Sequence, residues 1–129
     1  MDKAQFYHNL WSRFGWTAYD ESTVPERDDG ENAAIAELPY ITYMVMEDDF
    51  DHPVYPGASL WDYGKSWANI SQKAKQIGDY IGYGGRIERI DNGLVWIQRG
   101  HPFAQRLSDQ NDMVRRIAIN IEVEFFTEN

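Results

Sequence analysis

Over the first fourteen positions the apolar residues Tyr7, Leu10, Trp11 and Phe14 fall three and four apart, the spacing that lines one side of a helix. A first helix is predicted over 3–14, stopped by Gly15. Residues 16–36 have few large apolar side chains, and hold Pro25, Gly30 and an acidic run. They read as a loop, unless a short helix forms near 32–37. From 38 to 47, Tyr, Ile, Val, Thr and Met follow Pro39 and predict a strand, with Tyr40, Thr42, Met44 and Met46 on one face and Ile41, Tyr43 and Val45 on the other. Residues 48–57 read as an exposed excursion between turn formers. A second strand follows over 58–65, with Trp61 and Tyr63 sharing a face.

Ser66 is the expected N-cap of a second helix, whose stripe Ile70, Ala74, Ile77 and Ile81 must lie on the sheet; Gly82 and Gly84-Gly85 end it. Two short strands, 86–90 and 94–98, flank Asp91-Asn92-Gly93, a strong local hairpin signal. A loop over 100–111 leads to the clearest strand, 113–126. There Ile117, Ile119, Ile121, Val123 and Phe125 take every second position, and Arg116, Ala118, Asn120, Glu122 and Glu124 the alternate face. The pattern predicts an α+β domain spanning 1–129, a mainly antiparallel sheet of four to five strands with two helices packed on one face.

Composition narrows the function. A chain of 129 residues with 43% hydrophobic and 15% aromatic residues has enough apolar material for one packed core. A formal charge of −9 argues against holding nucleic acid or anionic membranes, whose binding draws on clustered Lys and Arg. No apolar run approaches the ~20 residues that span a bilayer. The start, Met1-Asp2-Lys3-Ala4-Gln5, lacks the order of a secretory signal, so cytoplasmic residence is expected. The absence of cysteine excludes disulfides, thiolate metal sites and thiol nucleophiles.

Candidate chemistry is sparse. His8, His52 and His101 lie in separate elements with no metal-binding spacing, and Glu47-Asp48-Asp49-Asp51 lacks the alternating ligands and glycine of a calcium loop. No serine sits in a Gly-x-Ser-x-Gly elbow. Gly82-Tyr83-Gly84-Gly85 follows a helix, where a phosphate cradle would precede one. The reading is a protein without catalytic residues, metal or cofactor. Trp61, Tyr63, Trp67, Tyr80, Tyr83 and Trp96 exceed what a small core encloses, so some should meet a partner. These features alone also suit a cytoplasmic protein- or peptide-binding module without catalysis.

Several segments, taken in order, resemble one family. They are the opening amphipathic helix, Leu38-Pro39-Tyr40-Ile41-Thr42-Tyr43, the helix around 70–81, the hairpin at Asp91-Asn92-Gly93, Gly100-His101-Pro102-Phe103-Ala104-Gln105, and Arg115-Arg116-Ile117-Ala118-Ile119-Asn120-Ile121. This order resembles the tail completion, or tail terminator, proteins of long-tailed bacteriophages. The resemblance implies an α+β subunit that closes into a ring, typically a hexamer, capping the tail tube and joining it to the head. Its partners would be copies of itself, the tail tube protein and the head connector protein, with DNA only as passing cargo and no membrane. Its place would be the virion tail, assembled in the host bacterial cytoplasm. On this reading Asp49, Phe50, Asp51, Tyr55, Trp61 and Tyr63 are candidates for the assembly interface, within or near a loop that a neighbour would order. Asn120, Glu122 and Glu124 are candidates for a lumen whose carboxylates repel passing phosphates.

Overall fold

A computed structural model of the chain describes residues 3–23, 38–46, 53–91, 93–109 and 111–127. Its elements are α1 (Lys3–Ser12), β1 (Thr17–Asp20), β2 (Tyr40–Tyr43), β3 (Gly57–Tyr63), α2 (Ala68–Ile81), β4 (Arg86–Ile90), β5 (Gly93–Leu107) and β6 (Val114–Thr127). The six strands form one sheet in the order β1-β2-β3-β6-β5-β4. All neighbours are antiparallel except β1 and β2, which run parallel. The architecture is α+β with two helices. The sheet is mixed and has six strands where four to five, mainly antiparallel, were expected.

Two of the differences arise where breakers masked a strand. Thr17–Asp20 lies in the stretch read as loop, and four residues give too few alternations to register as a strand by themselves. The loop expected over 100–111 is in large part the second half of β5. Pro102 has no N–H to give a ladder, but β4 pairs only with residues 93–97 of β5, so beyond that point β5 is a sheet edge and no bond is lost on its open side. The register with β6 shifts between Arg99 and Ala104, a bulge in which the chain absorbs Gly100 and Pro102. At Gly100 the backbones come close: an added Cβ would sit 2.8 Å from the Asn120 carbonyl oxygen.

Smaller corrections concern ends. α1 stops at Ser12, two residues before the expected end, and the chain turns through Gly15 at φ +89°. The residue capping α2 is Trp67 rather than Ser66, although Ser66 still serves the helix start by accepting the Ala68 N–H on its hydroxyl at 3.0 Å. The strand predicted over 38–47 is confined to Tyr40–Tyr43. The helix considered near 32–37, residues 48–52 of the excursion and Asn92 of the hairpin turn lie outside the described residues.

Both helices cover the same sheet face. Phe6 and Tyr7 of α1 meet the Phe125 ring edge-on at 5.6 and 6.1 Å, and the expected stripe of α2 (Ile70, Ala74, Ile77, Ile81) is buried. Beneath them lie Ile41, Leu60, Val95, Ile97 and the alternating Ile117, Ile119, Ile121, Val123 and Phe125 of β6. β6 holds the centre because its pattern is the longest: β3 pairs along its first half and β5 along most of its length. Beside β4, the Glu88 carboxylate accepts from Arg13, which follows α1, at 2.9 Å and from Arg86 at 3.1 Å, and also bonds the Tyr80 hydroxyl of α2. This clasp joins the turn after α1 to α2 and β4, more than sixty residues away. Among the described residues no helix is long and apolar enough to cross a membrane.

Candidate assembly surface

The face of the sheet turned away from the helices carries no described helix, and its side chains are set by strand parity. Register places Tyr40, Trp61, Arg116 and Leu107 in one row across β2, β3, β6 and β5. Within it the rings of Tyr40 and Trp61 stack at 6.2 Å with a 12° interplanar angle, and Tyr19 of β1 meets Tyr40 edge-on at 5.7 Å. The Arg116 guanidinium lies 4.6 Å from the Trp61 ring centre. The polar ends are satisfied locally: Trp61 Nε1 donates to Thr42 Oγ1 at 3.0 Å and Arg116 Nε to Ser59 Oγ at 3.1 Å. A ladder of two tyrosines, a tryptophan and an arginine thus spans four strands, with Tyr63 beside it and 58% exposed.

At the other end of the same face Leu94 pairs with Phe126 and Ile87 with Trp96, all anchored by the β4–β5 hairpin. Ile87, Leu94 and Phe126 are exposed large apolar side chains, and such residues grouped on one face mark a surface suited to a partner. Between the two apolar ends stand Glu122 and Glu124, opposite Gln98 and Trp96. Trp96 Nε1 donates to the Gly84 carbonyl, which ties the hairpin to the turn after α2. That turn needs glycine: Gly85 has φ +83°, and an added Cβ would lie 2.6 Å from the Ile97 carbonyl oxygen.

The two outermost strands discourage extension by another strand. β1 is only four residues long, and β4 reads Arg-Ile-Glu-Arg-Ile, with charge at three of five positions. Beyond residue 97 the open side of β5 also has no partner strand among the described residues, and it is the open face that groups exposed large apolar side chains.

Of the residues singled out from the sequence, Trp61, Tyr63, Asn120, Glu122 and Glu124 all lie on this one face. They had been assigned to two separate surfaces. Asn120 also has a local role, its amide donating to the Pro102 carbonyl at 2.9 Å and so fastening the bulge of β5. Tyr55 stands apart, 65% exposed on the segment before β3, next to Val54, which bridges to Val123. Asp49, Phe50 and Asp51 lie outside the described residues. Sequence reasoning missed Tyr19 and Tyr40 as ladder members and Ile87, Leu94 and Phe126 as a cluster. The available signal was alternation in 86–90 and 94–98, which puts Ile87 and Leu94 opposite the core, but nothing local says that both share a face with Trp61.

A second feature lies on the helix side. α2 and the second half of β5 line a groove of about 330 Å³, with Ala74, Gly78 and Phe103 on its apolar floor and Lys75, Asp79, Arg99 and Arg106 as its charged residues. Arg99 donates twice to the Gly78 carbonyl, and Arg106 lies over the Trp67 ring at 4.8 Å.

Three tyrosines have their pKa raised above the ordinary value, in each case mainly because burial disfavours the phenolate. For Tyr40 the neighbours Tyr19 and Asp109 add to the effect, for Tyr43 Asp20, and for Tyr80 the hydrogen bond to Glu88. Among the described residues no group of three or more His, Asp or Glu is placed to hold a metal ion. Compared with protein-family models, curated proteins and solved structures, the chain gives no match in any of the three.

Proposed function

We propose that this chain is a structural subunit that assembles with copies of itself into a ring at the head-proximal end of a bacteriophage tail, closing the tube and joining it to the head. One observation carries this reading: a six-stranded sheet whose two described helices lie on one face, with the other face offering an aromatic ladder, an apolar cluster and two carboxylates between them. A face so arranged has the apolar area and the flanking polar groups of an association surface. The order of segments that resembles tail completion proteins supplies the particular setting. Glu122 and Glu124 then bring negative charge to the passage through which phosphates must slide without being held.

Two measurements test the reading. Sedimentation of the purified protein should show a closed oligomer that forms with rising concentration. In a phage that carries this gene, deletion should leave filled heads and finished tails apart in electron micrographs, and adding the protein should join them. Normally joined particles without the protein would overturn the proposal and favour a peptide-binding module using the α2–β5 groove.

A further inference from the structure

The charge of this chain is strongly segregated. Two stretches, 24–37 and 47–52, together hold nine of the 21 Asp and Glu but one of the twelve Lys and Arg, and the rest of the chain has twelve Asp and Glu against eleven Lys and Arg. The acid excess sits mainly in two stretches: 24–37, with five carboxylates and one arginine, and 47–52, with four carboxylates and no Lys or Arg. Outside these stretches the charges nearly balance, and Lys75, Asp79, Arg99 and Arg106 border the groove between α2 and β5.

We propose that this groove is the docking site for the acidic segment Glu47-Asp48-Asp49-Phe50-Asp51 of a second copy of the chain. This deepens, and rests on, the ring reading above, because ring closure requires two unlike patches on each subunit. The match is chemical. The floor formed by Ala74, Gly78 and Phe103 is apolar, and the segment carries one aromatic ring, Phe50, flanked by acids. The other acidic stretch, around Glu26-Arg27-Asp28-Asp29, has no aromatic residue to fill the floor.

On the rim, Lys75 has one partner, Asp79, at 3.3 Å, and its side chain is 77% exposed. Arg106 stacks on Trp67 with a long 3.4 Å contact to the Ser71 hydroxyl, which leaves guanidinium N–H groups to meet a carboxylate. Arg99 is committed to the Gly78 carbonyl and shapes the floor by lying 5.7 Å from the Phe103 ring.

The described residues that flank the segment are held by other elements than α2. Met46 is held by its carbonyl accepting from Tyr7 of α1 at 3.0 Å, and Val54 pairs with Val123 of β6. These anchors belong to α1 and β6, while the groove is lined chiefly by α2 and β5. Groove and segment are two different, complementary patches of one subunit, as head-to-tail contacts require.

The test uses the full-length chain and sedimentation velocity at several salt concentrations. Lys75→Glu, Arg106→Glu and Asp49→Arg should each weaken self-association about tenfold or more, Phe50→Ala should do likewise, and Arg106→Glu combined with Asp49→Arg should recover a large part of the loss. Association of the unaltered chain should fall as salt rises. Lys75→Glu changes an exposed position and serves as the control for Arg106→Glu, which also loses its contact with Trp67. If the unaltered chain assembles and the reversals leave association unchanged, the groove inference is wrong and the ring reading stands. If the unaltered chain never assembles, the ring reading falls. A synthetic peptide of residues 45–54 then decides the groove: binding at one site that Lys75→Glu abolishes supports it, and no binding overturns it. A photo-crosslinking residue at position 50 that attaches to α2 of the same copy would also overturn it.

Discussion

The Arg116 guanidinium lies 4.6 Å from the centre of the Trp61 ring while its Nε donates to Ser59 at 3.1 Å. One side chain thereby fixes the tryptophan from β6 and closes the polar gap beneath it. Arg116→Ala should cost about 0.5–1 kcal/mol for the lost cation–ring contact, and Arg116→Lys should recover only part, since an ammonium cannot both cover the ring and donate in the same fork geometry. Urea unfolding of the three proteins gives the comparison. Equal midpoints would mean that the ladder adds nothing to the stability of the subunit.

The two faces of β6 should answer differently to substitution. Ile119 and Ile121 are at or below 1% exposure, so Ile119→Ala or Ile121→Ala should each lose about 2–5 kcal/mol. Glu122, on the open face, should tolerate Gln within about 0.5 kcal/mol. Denaturant titration distinguishes the cases, and similar losses for all three would reverse the assignment of faces.

Glu88 should be the costliest single charge to neutralise. Its side chain is 15% exposed and receives Arg13 and Arg86, so Glu88→Gln leaves two guanidinium groups facing each other across Tyr80. A loss of about 1–3 kcal/mol is expected. Arg13→Gln added to Glu88→Gln should cost less than the two single changes together, because they share one network. Strict additivity in a double-mutant cycle would dissolve the clasp.

Alkaline pH should weaken the fold through its tyrosines. Tyr40, Tyr43 and Tyr80 have folded pKa values raised above the ordinary 10.0. A raised acid holds its proton longer in the folded state, so this stability is fully present below pH 10 and is lost as pH climbs through the folded values. The urea midpoint should fall more steeply above about pH 10 for the unaltered chain than for Tyr80→Phe. Parallel pH profiles for the two would contradict the role given to burial at Tyr80.

Much of the architecture was legible from local pattern. The stripe Ile70, Ala74, Ile77 and Ile81 defined α2, the alternation from Ile117 to Phe125 defined β6 and its buried face, and Asp91-Asn92-Gly93 announced the hairpin, because each signal lies within a few residues of the structure it specifies. The pairing of β3 with β6, the parallel pairing of β1 with β2 and the edge position that lets β5 run on through Pro102 were not legible in this way. They depend on which strands come together across tens of residues, and neither periodicity nor turn chemistry carries that information. The open face shows the same division. Alternation alone put Glu122 and Glu124 opposite the core, and composition alone showed that the aromatic residues exceed what a core can hold. That Trp61 lies between Tyr40 and Arg116, and that Ile87, Leu94 and Phe126 share its face, was decided by strand order and register. Those are set where burying the side chains of β6 beneath two helices forces one arrangement of the sheet.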